Sequence, residues 1–298
     1  MIGINGKATM KSFITESTRH LRSSLARTGC PIGRYKAAAF ADRERRYLLK
    51  EEVAGQPVAI IASILPAPES LFDLMSLHRL LLENGAGPIT LIVPYLGYAR
   101  QDRSDRRGEA AIGVMVTELL VRLPVSKLVV YDIHSDRIRR ALGPSISELS
   151  ALPFFAAALA KAPPGVIVAP DAGSVLRAKH LADLLPSRPE VALIDKVRPR
   201  PNVAVARRLQ GEVRGKHALI LDDMIDTGGT LAEAVNLLRE KGVATVRIAA
   251  THGVFSAGAR EKLAALPVSE ILVTNTLPQV RHRKIRCLDI VPSLPVMP

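Results

Sequence analysis

The stretch "LDDMIDTGGT" (residues 221–230) sets Asp222 and Asp223 side by side, adds Asp226, and then runs Thr227, Gly228, Gly229, Thr230. The second half suits an anion. Small residues let backbone amides close on a phosphate, and a helix starting there points the positive end of its dipole at it. The carboxylates of the first half repel phosphate. A ligand with hydroxyls beside its phosphate reconciles the two: Asp222 and Asp223 accept from a ribose diol while the Thr-Gly-Gly-Thr turn holds the phosphate. The competing reading is a capped helix start with solvated acids. The segment is not a P-loop, because the Gly-Lys-Ser/Thr ending is absent, and "GEVRGKH" (211–217) lacks the spacing and the final hydroxyl.

Other chemistry-bearing residues also follow apolar runs. "GYARQDRSDRR" (97–107) offers Arg100, Arg103, Arg106 and Arg107 with Gln101 and Asp105. Arginine forks suit triphosphate oxygens and a glutamine amide can read an adenine edge, although a solvated basic loop looks the same in sequence. His134 comes directly after "KLVVYDI", and Asp171 directly after "GVIVAP", where ligands of parallel sheets sit. "DKVRPRPN" (195–202) carries Lys196 and Arg198 among prolines that forbid a regular helix. A mobile cationic loop there would close over a transferring phosphate and neutralise its charge. His20 and His78 are read as structural, and His252 receives no role.

The elements that must position these residues alternate. "VAIIASI" (58–64), "ITLIV" and "KLVVYDI" read as buried strands. Between them lie the helical patterns "ESLFDLMSLHRLLLENG" and "AAIGVMVTELLVRL". The first of these puts Leu71, Leu74, Met75, His78, Leu81 and Leu82 on its inner face. After the apolar 151–160 the alternation restarts with "GVIVAP", "SVLRAKHLADLL", "VALID", "HALILDD", "TLAEAVNLLREKG", "ATVRIAAT" and "EILVTN". This is an α/β chain of mainly parallel sheets flanked by helices, in two tandem domains, 1–145 and 146–298. The closing "SLPVMP" is expected to fray or pack irregularly.

The 298 residues carry a net charge of +13, which calls for anionic partners. Trp is absent and aromatics make up 4%, so base stacking is poorly supplied and nucleic acid is not the expected partner. Cys30 and Cys287 form no paired motif, which points to a reducing, cytoplasmic setting. The longest apolar stretch, 151–160, is about half of the ~20 residues a bilayer crossing needs, and no signal peptide is visible at the N-terminus. A soluble protein is expected.

"LILDDMIDTGGT" resembles the phosphoribosyl-diphosphate (PRPP) binding loop of type I phosphoribosyltransferases and of PRPP synthetases, the ribose-phosphate diphosphokinases. Further segments, collinear from about residue 36 onward, resemble the synthetases. "VPYLGYARQDR" is similar to their ATP loop, "YDIHSDRI" to their metal-binding histidine segment and "VAPDAGSVLRAK" to their diphosphate-side loop. "IDKVRPRPN" is similar to their flexible catalytic loop, and "ATHGVFS" and "VTNTLP" follow in order. "FADRERRYL" (40–48) resembles the segment that a neighbouring subunit lends to the ATP site.

The resemblance implies two phosphoribosyltransferase-like domains in a homo-oligomer and transfer of diphosphate from ATP to ribose 5-phosphate. It assigns Arg100, Gln101 and Asp105 to ATP, with Phe40, Asp42 and Glu44 reaching in from the neighbour. His134 and Asp171 serve Mg2+ largely through waters, and Lys196 and Arg198 act in catalysis. Asp222, Asp223, Asp226 and Thr227–Thr230 hold the ribose phosphate. The chain departs from the family at Val197, where a second arginine is common, and in "SILPAPESL" and "RRGEAAIG", which bear on assembly and regulation. An inactive, nucleotide-binding regulatory relative and a phosphoribosyltransferase are the alternative readings. The latter leaves the loops of the first block without a purpose.

Overall fold

The computed structural model describes residues 10–104, 106–144, 146–197 and 206–296. The described chain forms two compact units. One takes the chain up to Leu149 together with Thr276–Pro278 and Asp289 onward, and the other takes Ser150–Asn275 and Gln279–Leu288. The sequence reading drew two contiguous halves at 145/146. The units instead divide after Leu149, and the chain returns to the first unit at its end.

The first unit runs β1 (Lys11–Ile14), α1 (Arg22–Arg27), β2 (Tyr35–Ala39), β3 (Arg45–Leu49), β4 (Val58–Ile61) and α2 (Glu69–Glu83). It continues with β5 (Ile89–Val93), α3 (Ile112–Val121), β6 (Lys127–Tyr131), α4 (Asp136–Leu142) and β7 (Ile146–Leu149). Its main sheet has the order β1-β4-β5-β6-β7, parallel throughout, while β2 and β3 form a separate antiparallel hairpin. Every residue of β4 and β5 is buried, as expected of strands covered on both faces.

On one face, Leu74, Leu77 and Leu81 of α2 pack with Val58, Ile60 and Leu91. Each such leucine contributes about 1.5–3 kcal/mol of burial. The inner stripe of α2 differs from the sequence reading: Leu82 is exposed, Leu71 and Met75 are half-buried, and Ser70, Asp73 and Leu77 are buried. Polar residues enter because they are satisfied there. Ser70 Oγ donates to the Ala67 carbonyl at 2.8 Å, and the Asp73 carboxylate accepts from Arg45 and Tyr47 of β3. His78 is buried with a ring nitrogen 3.2 Å from the Pro124 carbonyl, the structural role read for it. On the other face, Leu294 and Val296 join Leu21, Leu25, Ile61 and Tyr131. The end of the chain, expected to fray, is therefore anchored through Val296 by burial in this second core.

The second unit runs α5 (Leu152–Leu159), β8 (Val166–Ala169), α6 (Val175–Leu184), β9 (Glu190–Val197), β10 (Ala206–Gln210) and β11 (His217–Ile225). It continues with α7 (Gly229–Glu240), β12 (Thr245–Gly253), α8 (Ala259–Ala265), β13 (Val268–Thr274) and β14 (Ile285–Leu288). The sheet order is β10-β9-β8-β11-β12-β13-β14, parallel except where β10 pairs with β9. From β8 the chain goes outward to β9 on one side. From β11 it goes outward to β12 on the other. The order therefore reverses between β8 and β11, and the carboxyl ends of these neighbours are the place where open α/β sheets bind ligands. Among the described residues of either unit, no helix is long and apolar enough to cross a membrane.

Candidate functional site

Asp222 and Asp223 lie inside β11, which continues past the "HALILDD" run to Ile225. The ladder to β12 continues past Leu221, with Asp222 opposite Ala250 and Met224 opposite His252. Backbone pairing carries a strand through polar residues as readily as through apolar ones. The turn is therefore short: Asp226, Thr227 and Gly228, with α7 starting at Gly229. Gly228 sits at the helix N-cap with φ +70°, and a Cβ there would stand 3.0 Å from Leu263 of α8. Only glycine takes both the left-handed backbone and the tight approach. No side chain caps α7, so its first amides face the turn. This is the stretch read from the sequence as an anion cradle, with Thr227 exposed at its rim and Thr230 in the first helical turn.

Two hydroxyls not singled out in the sequence complete the arrangement. Ser256 Oγ donates to the Asp226 carboxylate, while the amides of Val254 and Phe255 both reach the Ile225 carbonyl at 2.9 Å. The turn after β12 thus braces the cradle. Ser174 donates through both its amide and its hydroxyl to Asp171 Oδ1, each at 3.0 Å, and the same hydroxyl stands 3.5 Å from Asp222 Oδ1. A serine three residues after Asp171 at the mouth of a helix was the available signal. Lys262 of α8 places its Nζ 4.0 Å from where a Cβ on Gly229 would be.

Three carboxylates thereby crowd the ends of β8 and β11. Burial, then the neighbouring Asp223 and, more weakly, Asp171 push the Asp222 carboxyl well above the usual carboxylate range. A bound cation or hydroxyl donors would favour the ionised form. Among the described residues, no three His, Cys, Asp or Glu side chains group closely enough to hold a metal. The Asp171, Asp222 and Asp223 carboxylates are hard oxygen donors, the kind Mg2+ takes one or two at a time while keeping waters and substrate phosphates.

In the first unit the segment after β5 is held by backbone contacts. Gly97 N donates to the Ile64 carbonyl at 2.8 Å, Gln101 N to the Tyr98 carbonyl at 2.8 Å, and Gly113 N to the Gln101 carbonyl at 2.9 Å. The Tyr98 hydroxyl donates to the Pro66 carbonyl, with Tyr98 itself at φ +64°. Arg100 and Gln101 are exposed on this pinned turn, whereas Asp105 lies outside the described residues. A Cβ on Gly97 would stand 2.3 Å from the Ile64 carbonyl oxygen, an atom that cannot move aside. Gly97→Ala is expected to cost about 1–3 kcal/mol, as overpacking does. Urea denaturation would read that loss.

His134 is exposed just beyond β6, on a turn that starts at buried Asp132 with φ +36°. Phe40, Asp42 and Glu44 fall together on the turn of the β2–β3 hairpin. There Phe40 N meets the Glu44 carbonyl at 2.8 Å, Glu44 N meets Asp42 Oδ1 at 3.0 Å, and Arg46 covers the Phe40 ring. Lys196 is on a strand, not in a loop as expected: it is the penultimate residue of β9, opposite Arg207 of β10. The antiparallel partner extends the strand past the point where sequence placed the loop. The Lys196 side chain and all of Arg198 lie outside the described residues.

Two family models match the chain. Residues 10–123 match the N-terminal domain of ribose phosphate pyrophosphokinase, and residues 190–294 match the phosphoribosyl synthetase-associated domain. The chain is 37% identical over 254 residues to the ribose-phosphate pyrophosphokinase of Burkholderia pseudomallei, spanning 84% of this chain and 79% of that one. It is 33% identical over 297 residues to that of Halalkalibacterium halodurans, spanning 98% and 92%. The crystal structure of phosphoribosylpyrophosphate synthetase from Mycobacterium smegmatis superposes with a TM-score of 0.86 at 32% identity, covering 96% of each chain.

Proposed function

The chain belongs to the ribose-phosphate pyrophosphokinase family, and from that membership we propose how its own residues perform the reaction. The enzyme transfers a diphosphoryl group from ATP to ribose 5-phosphate. The anomeric oxygen bonds to the β-phosphorus, the bond from the β-phosphorus to the α–β bridging oxygen breaks, AMP leaves, and the hydroxyl proton is released. Little covalent chemistry falls to the protein in such transfers, so catalysis consists of placement and charge neutralisation.

The observation that carries this reading is the crossing from β11 to α7. An uncapped helix start with left-handed Gly228 stands directly after paired carboxylates. Amides and hydroxyls of Thr227–Thr230 hold the 5-phosphate, while Asp222, Asp223 and Asp226 take the ribose side. Arg100, Gln101 and Asp105 bind ATP. Phe40, Asp42 and Glu44, at the tip of an exposed hairpin, complete that site from a neighbouring subunit of a homo-oligomer. His134 and Asp171 are assigned to Mg2+, which when bound supplies charge neutralisation on the phosphates. Lys196 and Arg198 stabilise the charge that develops during transfer. Two cysteines without a paired motif fit the cytoplasmic setting proposed for the enzyme.

The test is chromatographic. Purified protein with Mg-ATP should release AMP only when ribose 5-phosphate is added. AMP that forms equally without the sugar, or no AMP across sugar and phosphate concentrations, would overturn the reading.

A further inference from the structure

The turn that presents His134 is gripped by two charged residues with no assigned role. Glu148, on β7 beside β6, accepts the Ile133 amide proton with Oε1 at 2.9 Å. Arg139, on α4, reaches the same carboxylate with two nitrogens, Nε to Oε2 at 2.7 Å and Nη2 to Oε1 at 3.1 Å. Its Nη2 also stands 3.5 Å from the Ile133 carbonyl, and its Nη1 pairs with Asp136. Both polar groups of Ile133 are thus engaged by a bidentate pair, one residue before the histidine. The backbone leading into this turn is the left-handed Asp132, whose amide is tied to the Leu149 carbonyl at 2.9 Å.

Stability alone does not account for such a construction. The Arg139 and Glu148 side chains are 41% and 28% exposed, and ion pairs of that exposure contribute about 0–1 kcal/mol. A bidentate fork supplies direction more than energy. What it directs are the two peptide groups flanking Ile133, the second of which leads into His134.

We propose that Arg139 and Glu148 are positioning residues that fix the 132–134 turn so that His134 meets the Mg2+–ATP complex. The proposal rests on the reading of His134 given above. Loss of such outer-shell partners commonly costs 10–100-fold in metal affinity or activity. Glu148→Ala and Arg139→Ala are therefore expected to raise KM for Mg-ATP about tenfold or more. KM for ribose 5-phosphate, whose cradle lies on the second unit, should move less than about twofold. Glu148→Gln keeps an oxygen for the Ile133 amide and should recover most of the loss.

Two further measurements separate placement from folding. Calorimetric binding of a non-hydrolysable ATP analogue, with and without Mg2+, should show that the gain from Mg2+ shrinks in Glu148→Ala without any turnover being needed. Glu51→Ala is the control. It removes a half-buried tie of the same kind, in which Glu51 accepts from the Arg34 amide and from Lys11, and it should leave Mg-ATP parameters unchanged. Unchanged Mg-ATP KM and binding in the Arg139 and Glu148 variants would overturn the proposal. So would a parallel loss for both substrates that tracks a fall in melting temperature. A wild type that turns over no substrate while binding Mg-nucleotide would count against the diphosphokinase reading, and the binding arm would still decide this one.

Discussion

Lys196→Ala is expected to lower kcat by about 1000-fold, within the range that loss of a cation serving a phosphoryl transition state produces. KM for ribose 5-phosphate should stay within about threefold, because the contacts proposed for the sugar lie on β11 and α7. Lys196 stands at the end of β9, which pairs with β8, and β8 ends two residues before Asp171. A lysine in that place belongs to the carboxyl-end rim, one strand from the point between β8 and β11 where the sheet order reverses. Lys196→Arg keeps the charge but changes a compact ammonium into a planar fork, so a partial recovery, well short of wild type, is expected. A surface cation with no part in transfer would give changes below about threefold in every parameter. Rapid-quench measurement of the first turnover separates the chemical step from product release and reads this directly.

Asp222→Asn is expected to weaken function and strengthen the fold at once. Charged hydrogen bonds are worth about 1.5–3 kcal/mol, so replacing the carboxylate by an amide should reduce kcat/KM for ribose 5-phosphate about 10–100-fold. The stability effect has the opposite sign. Burial and the adjacent Asp223 hold the Asp222 carboxyl above its unfolded value. A group raised in this way contributes stability that is fully present below the unfolded carboxylate pKa, about 3.9, and lost as pH rises through the folded value. At neutral pH its ionisation opposes folding. The asparagine can still accept from the Asp223 amide, which meets Asp222 Oδ1 at 2.9 Å. The variant should therefore melt higher than wild type at pH 7–8, with the difference shrinking as pH falls toward 4. Scanning calorimetry across that range checks the sign. A variant that melts lower at neutral pH would mean that Asp222 is a structural acceptor whose charge the fold needs.

Much of this architecture is legible from apolar runs. β4, β5 and β8 are wholly buried, and such strands announce themselves by continuous Val, Ile and Leu. The strands that escape notice are short or exposed. β2 and β3 form a hairpin with few buried residues, β7 reads "ISEL", and β10 reads "ARRLQ" at a sheet edge. Edge strands carry charges that blunt them, which erases the pattern that would reveal them. The acids of β11 close the apolar run "HALILDD", and the strand continues past them to Ile225: composition changes at Asp222, while the backbone ladder does not.

The site divides in the same way. Local strings carried the turn at 226–228 and the start of α7, because a glycine with positive φ and a helix start leave a mark on sequence. Contacts between distant residues left none. Ser256 on Asp226 spans 30 positions, and no periodicity predicts it. The Arg139–Glu148 grip on Ile133 likewise depends on β7 pairing beside β6, which the sequence reading had not identified as a strand.

The central claim is that ATP gives up its β- and γ-phosphates together to the anomeric oxygen. ATP labelled with 32P at the β position tests it most directly. With ribose 5-phosphate present, the label should pass into the sugar product and the nucleotide released should be unlabelled AMP. Label retained in the nucleotide as ADP, or failure of any label to reach the sugar, would contradict the account.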